Sequence, residues 1–352
     1  MRWIWMTAML AACGGGETPT TPAEKPVETP KVDELRAKAG AMFGALPTEM
    51  LAEGRELSDA RIALGRMLYY DARLSKNHDV SCNTCHDLAT WGVDHAPTST
   101  GHKAQKGGRN APTTYNAAMH IAQFWDGRAK DVEDQAKGPP LNPIEMAMAD
   151  AGAVETTFRS IPGYAEPFKT AFPGEEQPVT FDNLAVAIGA FERKLVTPDP
   201  FDKWLGGDDA AMTAEQKAGL QTFMDVGCTT CHGGKALGGM MYQKLGLVKP
   251  YETADRGRAA LTGNDAEAFM FKVPSLRNIA KTGPYLHDGS IATLDESIRL
   301  MGSYQLGKDL TDEQVNSIAT FFDALTGPIP TEYIAKPELP ADGPATPAAD
   351  PS

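Results

Sequence analysis

Four of the five cysteines fall into two short groups, Cys82-Asn83-Thr84-Cys85-His86 and Cys228-Thr229-Thr230-Cys231-His232. Two thiols at that spacing reach, from one helical turn, the two vinyl groups of a single porphyrin. The histidine that follows at once then lies under the ring with an imidazole nitrogen on the iron. This is the c-type haem attachment pattern. A redox dithiol has no use for the following histidine, and a structural zinc ion needs more ligands at short spacing. The sequence therefore predicts two covalently bound c-type haems, ligated on one side by His86 and His232.

The opposite axial ligand sets what each haem can do. For the second haem, Met301 lies far downstream of His232, as the methionine of small His/Met cytochromes does, and Met240, Met241 and Met270 compete with it on spacing alone. A soft thioether favours the reduced metal and raises the potential. For the first haem, His95, His102 and His120 all follow the motif. His102 stands in the polar, glycine-rich run GHKAQKGGRN, from which a ligand could move away. A displaceable ligand opens a coordination site, which a catalytic haem needs and a pure electron carrier lacks.

The elements that must hold these residues read as helices. Thr180 or Asp182 caps a helix carrying Leu184, Ala187, Ile188, Phe191 and Leu195 at three- and four-residue steps, broken by Pro198 and Pro200. Thr213 with Gln216 reads as a capping box ahead of Leu220, Phe223 and Met224. Thr293 with Glu296 opens a helix ending near Met301, and Thr311 with Gln314 opens a last one with Val315, Ile318, Phe321, Phe322 and Leu325 on one face and Gly327 as its stop. In each half a helical stretch runs into the cysteine pair, LGRMLYYDARL before Cys82 and GLQTFMDVG before Cys228. Long alternation of the strand type is absent. The expected class is mainly α, with two c-type cytochrome domains, 33–197 and 198–330, each carrying one haem and joined by long loops.

The ends differ in composition. Arg2, a short apolar run and Leu10-Ala11-Ala12 ahead of Cys13 read as a lipoprotein signal peptide over 1–12, with Cys13 as the lipidation site. Residues 13–32 read as a flexible Pro/Thr-rich tether, and 331–352 as a Pro/Ala-rich tail over the surface. The expected location is the periplasm, with the membrane reached only through the anchor. The 33 Lys and Arg against 46 Asp and Glu leave a net charge of −13, which argues against nucleic-acid binding and suits a basic protein partner.

The blocks LGRMLYYDARLS (64–75), CNTCH (82–86), GHKAQKGGRNAPT (101–113), AQFWDGRAKDVEDQAKGP (122–139), NPIEM (142–146), FDNLAVAIGAFERKLVTPDPFDKWL (181–205), PSLRNIAKTGPYLHDG (274–289) and MGSYQLG (301–307) follow one another over roughly residues 35–330. In content and order the chain resembles the bacterial di-haem cytochrome c peroxidases, related to the MauG group. The resemblance implies that the haem on Cys82, Cys85 and His86 is the low-potential, peroxidatic one. It makes His102 its displaceable distal ligand, Glu145 the distal catalytic glutamate and Gln135 a distal-pocket residue. It makes the haem on Cys228, Cys231 and His232 the high-potential one, with Met301 on its iron and Trp125 between the two haems. Asn110, Thr282 and Pro284 match the ligands of an interdomain calcium ion, the last two through backbone carbonyls. His287 reads as structural, beside a haem propionate.

The implied reaction is reduction of hydrogen peroxide to water, with electrons from a small periplasmic cytochrome c or cupredoxin; a homodimer is a further expectation. Two other readings compete. A non-catalytic di-haem electron carrier or redox sensor would keep both haems six-coordinate. A MauG-like oxidase of a protein substrate is disfavoured by Met301, because the MauG group has a tyrosine in that role.

Overall fold

Two helix pairs organise the protein. In the first, Asp59–Tyr70 packs on Phe181–Glu192. In the second, Ala214–Val226 packs on Asp312–Asp323. Each pair crosses over a glycine. A Cβ on Gly65 would come within 1.8 Å of the Ala187 carbonyl oxygen, and one on Gly219 within 2.1 Å of the Ser317 carbonyl oxygen. Both glycines belong to the repeated stretch ahead of the cysteines, so the repeat is a repeated crossing geometry. The computed structural model describes residues 34–352; the leader, the tether and Cys13 lie outside the described residues.

The local signals act where the sequence puts them. Thr180 caps Phe181–Glu192 through the Asn183 amide. Thr213/Gln216, Thr293/Glu296 and Thr311/Gln314 each close a reciprocal capping box. The Pro198/Pro200 break is a helix start as well: Asp199 caps Pro200–Leu205, whose first residue is Pro200. The protein is mainly helical. Among the described residues one two-stranded ribbon pairs Tyr242–Lys244 with Met270–Lys272 antiparallel, with Tyr242 opposite Lys272.

Residues 35–352 form one compact unit with two apolar clusters inside it. The first gathers Leu64, Leu68, Phe158, Tyr164, Leu184, Phe191 and Leu195. The second gathers Phe201, Trp204, Leu220, Phe223, Val315, Phe321 and Leu325. The two ends of the described segment are exchanged between them. The opening helix Glu34–Met42 gives Ala39, and Phe43 follows it, to the second cluster. After leaving the second cluster the chain returns to place Ile334 in the first and to stack Tyr333 on Phe191, ring centroids 5.1 Å apart. The 331–352 segment is thus partly built into the structure: Arg73 reaches the Pro340 carbonyl at 2.9 Å, and the Asp350 amide donates to the Lys76 carbonyl at 2.9 Å. Buried Thr197 is tied at its hydroxyl to Asn116 and Asn278, at 2.9 and 2.8 Å.

Candidate functional site

Both Cys-x-x-Cys-His groups adopt a single tight turn, α-helical over Cys82–Cys85 and 3-10 over Cys228–Thr230. That turn places the thiols of each pair on one side. All four are free in this structure. Burial, with smaller contributions from Glu192 and Cys85, pushes the Cys82 thiol far up, and burial does the same less strongly at Cys228.

The two histidines are prepared alike. His86 donates from Nδ1 to the Pro112 carbonyl at 2.9 Å, and His232 from Nδ1 to the Leu237 carbonyl at 3.0 Å. A carbonyl can only accept, so each ring carries its proton on Nδ1 and presents Nε2 as the lone-pair ligand. Burial holds both below the ordinary histidine value, which keeps that neutral form. Sequence reasoning had no signal for Pro112 or Leu237, because a backbone acceptor leaves no side-chain trace.

Around the second group lies a large, mostly apolar cavity with an empty volume of about 1640 Å³ that includes its mouth. Pockets for small organic ligands run about 300–1,000 Å³, so a porphyrin-sized group fits. Cys228, Cys231, His232 and Met301 all line it, whereas Met240, Met241 and Met270 do not. Met301 opens a π-helical turn, Met301–Gln305, directly after the helix Leu294–Leu300. Such turns are rare and frequent at functional sites, where they re-aim a side chain.

The same wall carries Trp125, His287, Asn110, Thr282 and Pro284. The Trp125 indole N–H donates to the Asn110 carbonyl at 2.9 Å. Two residues on, Pro112 holds His86, so one short segment touches both the indole and the first histidine. Asn110 gives its side-chain N–H to the Ala96 carbonyl at 3.0 Å, leaving its oxygen as the ligating end. With backbone carbonyls from Thr282 and Pro284 the donor type suits calcium, though the cavity wall has no carboxylate. His287 is buried and stacks on Phe271 at 4.3 Å.

The first group faces different company. Glu145 is half-buried, and its Oε1 accepts from the Asn142 amide at 2.8 Å. Burial raises its pKa, opposed by Arg128 and Asn142. Its field reaches the Cys85 thiol, which burial pushes up first and Asp94 and Glu145 push further. The Glu145 carbonyl accepts the His102 backbone N–H at 2.8 Å, so the His102 loop is docked on the turn that carries Glu145. The His102 ring is buried, with Nε2 3.3 Å from the Ser352 carbonyl oxygen. Gln135 ends the short helix Val132–Gln135 and is half-buried.

Two histidines weighed for the first haem go elsewhere. His95 is exposed and gives Nδ1 to the Gly283 carbonyl at 2.9 Å. His120 lines the second cavity, where Lys272 holds it. Sequence distance from Cys82 is no guide, because the chain from 115 to 125 crosses to the other half.

The geometry thus sets two similar attachment turns beside unlike second faces, one offering a thioether and the other a carboxylate and a loop histidine. Residues 59–210 match the family model described as di-haem cytochrome c peroxidase. Over 325 residues the chain is 46% identical to the cytochrome c551 peroxidase of Pseudomonas aeruginosa, covering 90% of this chain and 93% of that one.

The chain belongs to the di-haem cytochrome c peroxidase family.

Within that family, the methylamine utilization protein MauG of Methylorubrum extorquens stands further off, at 33% identity over 81% of each chain. A solved structure of a MauG-like protein associated with microbial copper homeostasis superposes with a TM-score of 0.73 at 28% identity, covering 83% of this chain and 96% of that one. The family carries two c-type haems, and the two attachment turns with their Nδ1-anchored histidines fit them.

Proposed function

We propose that this di-haem cytochrome c peroxidase reduces hydrogen peroxide at the Cys82–His86 site and accepts electrons at the Cys228–His232 site. The carrying observation is the asymmetry between the two: Met301 shares the second cavity, and Glu145 with the His102 loop lies beside the first. The overall reaction is H₂O₂ + 2 e⁻ + 2 H⁺ giving two waters. Bound at each site through its cysteines and histidine, haem supplies one-electron chemistry and, at the first site, a coordination position that peroxide can occupy.

The protein groups handle protons and access. Glu145 takes a proton from the near oxygen of peroxide and returns it to the far one. Asn142 fixes the carboxylate at Oε1, and partial burial raises its proton affinity toward that task. Gln135 orients peroxide. His102 would hold the first haem on its peroxide side, and movement of its loop would give peroxide access there. Trp125, bonded to Asn110, stands between the two sites. Asn110, Thr282 and Pro284 would hold a calcium ion, which would favour one arrangement of that wall, since a ligand shifts an equilibrium only through differential affinity.

Electrons come from a small redox protein, a cytochrome c or cupredoxin, for which the acidic surface is a match. Cys13 carries the lipid, and 13–32 tethers the enzyme in the periplasm. Peroxide turnover with a reduced cytochrome c, measured before and after one-electron reduction, tests the reading. Pyridine haemochrome must report two haems per chain. Two haems with no turnover in either state would leave the electron-carrier reading standing instead.

A further inference from the structure

The second cavity must receive a group bearing two carboxylates, yet its lining contains no Arg, Asp or Glu and a single lysine, Lys272. Lys272 is 7% exposed. Its Nζ donates to His120 Nδ1 at 2.9 Å, and burial alone acts on it, pulling its pKa from 10.5 down to about 8. Among the described residues no carboxylate forms an ion pair with it. An ammonium buried against a neutral imidazole alone is costly, so a buried cation of this kind is expected to face an anion.

The placement says which anion. Cys228 and Cys231 fix the vinyl edge of the porphyrin, and the propionates lie on the opposite edge. The charged and polar groups felt at the thiols are Lys308 at Cys228 and Gln243 at Cys231, not Lys272. Lys272 lies on the strand paired with the one that carries Gln243, directly opposite Tyr242, and its backbone N–H donates to the Trp125 carbonyl at 2.7 Å. His120 is held neutral by burial and by the lysine, so it can only accept at Nδ1 and aim the ammonium.

We propose that Lys272, aimed by His120, is the counter-charge for one propionate of the haem attached at Cys228 and Cys231, and that it raises the potential of that haem. This rests on the haem reading of the second site. It makes Lys272 a positioning residue with an electrostatic reach, beside Met301 and through a different bond.

Spectroelectrochemical titration of the holoprotein tests it, with K272M and K272R beside the wild type. Removing the cation favours ferric iron. At the wild-type midpoint the ferric-to-ferrous ratio of the second haem should rise about tenfold in K272M, which is about 59 mV for one electron. K272R keeps the charge and should stay within roughly twofold. K272M with two haems and an unmoved midpoint overturns the proposal. If K272M does not accumulate with haem, the propionate-bending band in resonance Raman decides. Replacing the ammonium by a planar fork in K272R must shift that band at the second haem, and an unshifted band overturns the proposal. A wild type with one haem would instead refute the site reading on which it stands.

Discussion

Glu145→Ala separates proton handling from control of the loop. The side chain makes one hydrogen bond, from Asn142 to Oε1 at 2.8 Å, whereas the His102 loop is held by the Glu145 main-chain carbonyl, also at 2.8 Å. Alanine removes the first and keeps the second. The lost hydrogen bond costs about 0.5–1.5 kcal/mol, so the variant folds. A positioned general acid/base is worth about 10²–10⁴ in rate, or roughly 2.7–5.5 kcal/mol of barrier at about 1.36 per decade. Peroxide-dependent oxidation of a reduced cytochrome c should therefore fall at least about a hundredfold, while the spin state of the first haem, by absorbance or EPR, follows the wild type through reduction. The pH profile gives a second check. Glu145 must be ionised to take the first proton, and burial raises its pKa. Wild-type activity should thus fall on the acid side, through a value above the ordinary carboxylate range, and the residual activity of the variant should lose that limb. Turnover within about threefold of wild type would put the proton shuttle elsewhere, since even the low end of the expected loss is about a hundredfold.

Met301→His replaces a soft thioether by an imidazole, so the midpoint of the second haem should drop by more than about 100 mV in a redox titration; an unchanged midpoint would reassign the ligand. His102→Gly should give an open first haem and peroxide activity without prior reduction, and a resting spectrum that stays low-spin at both haems, with no ligand from elsewhere, would end the switch. Among the described residues buried Glu192 forms no ion pair, and burial, with Glu133 nearby and opposed by Arg193, raises its pKa from 4.5 to about 8. The native state then favours its protonated form, so its share of stability is full below 4.5 and is lost as pH rises through about 8. Denaturant midpoints should show Glu192→Gln losing less stability than wild type over that interval, and parallel curves would count against it.

Local signals were legible because they act within one turn. The capping boxes at Thr213, Thr293 and Thr311 and the two cysteine turns need only neighbouring residues, and all of them form. Spacing favoured Met301 and the resemblance strengthened it, but what separates it from Met240, Met241 and Met270 is a cavity assembled from distant segments. His120 stood among the candidates for the first haem for the same reason. It follows the first motif in sequence but reaches Lys272, 152 residues away. The acceptors on His86 and His232 are backbone atoms, which no residue type announces. Lys272 carried no signal at all, since a lysine in a short apolar stretch reads as a solvated edge until its surroundings are known.

The exchanged chain ends bear on how such a protein can be divided or inherited. A fragment stopping at residue 197 would keep the Glu34–Met42 helix but lose Phe201 and Trp204, beside which Ala39 and Phe43 pack. The complementary fragment would carry Tyr333 and Ile334 without Phe191 and the cluster they close. Each half is finished by residues encoded at the far end of the other. Although the two halves repeat one design, neither could fold alone without exposing a core, and removing Glu34–Met42 or the segment around Tyr333 would be felt first in the half that is remote along the chain.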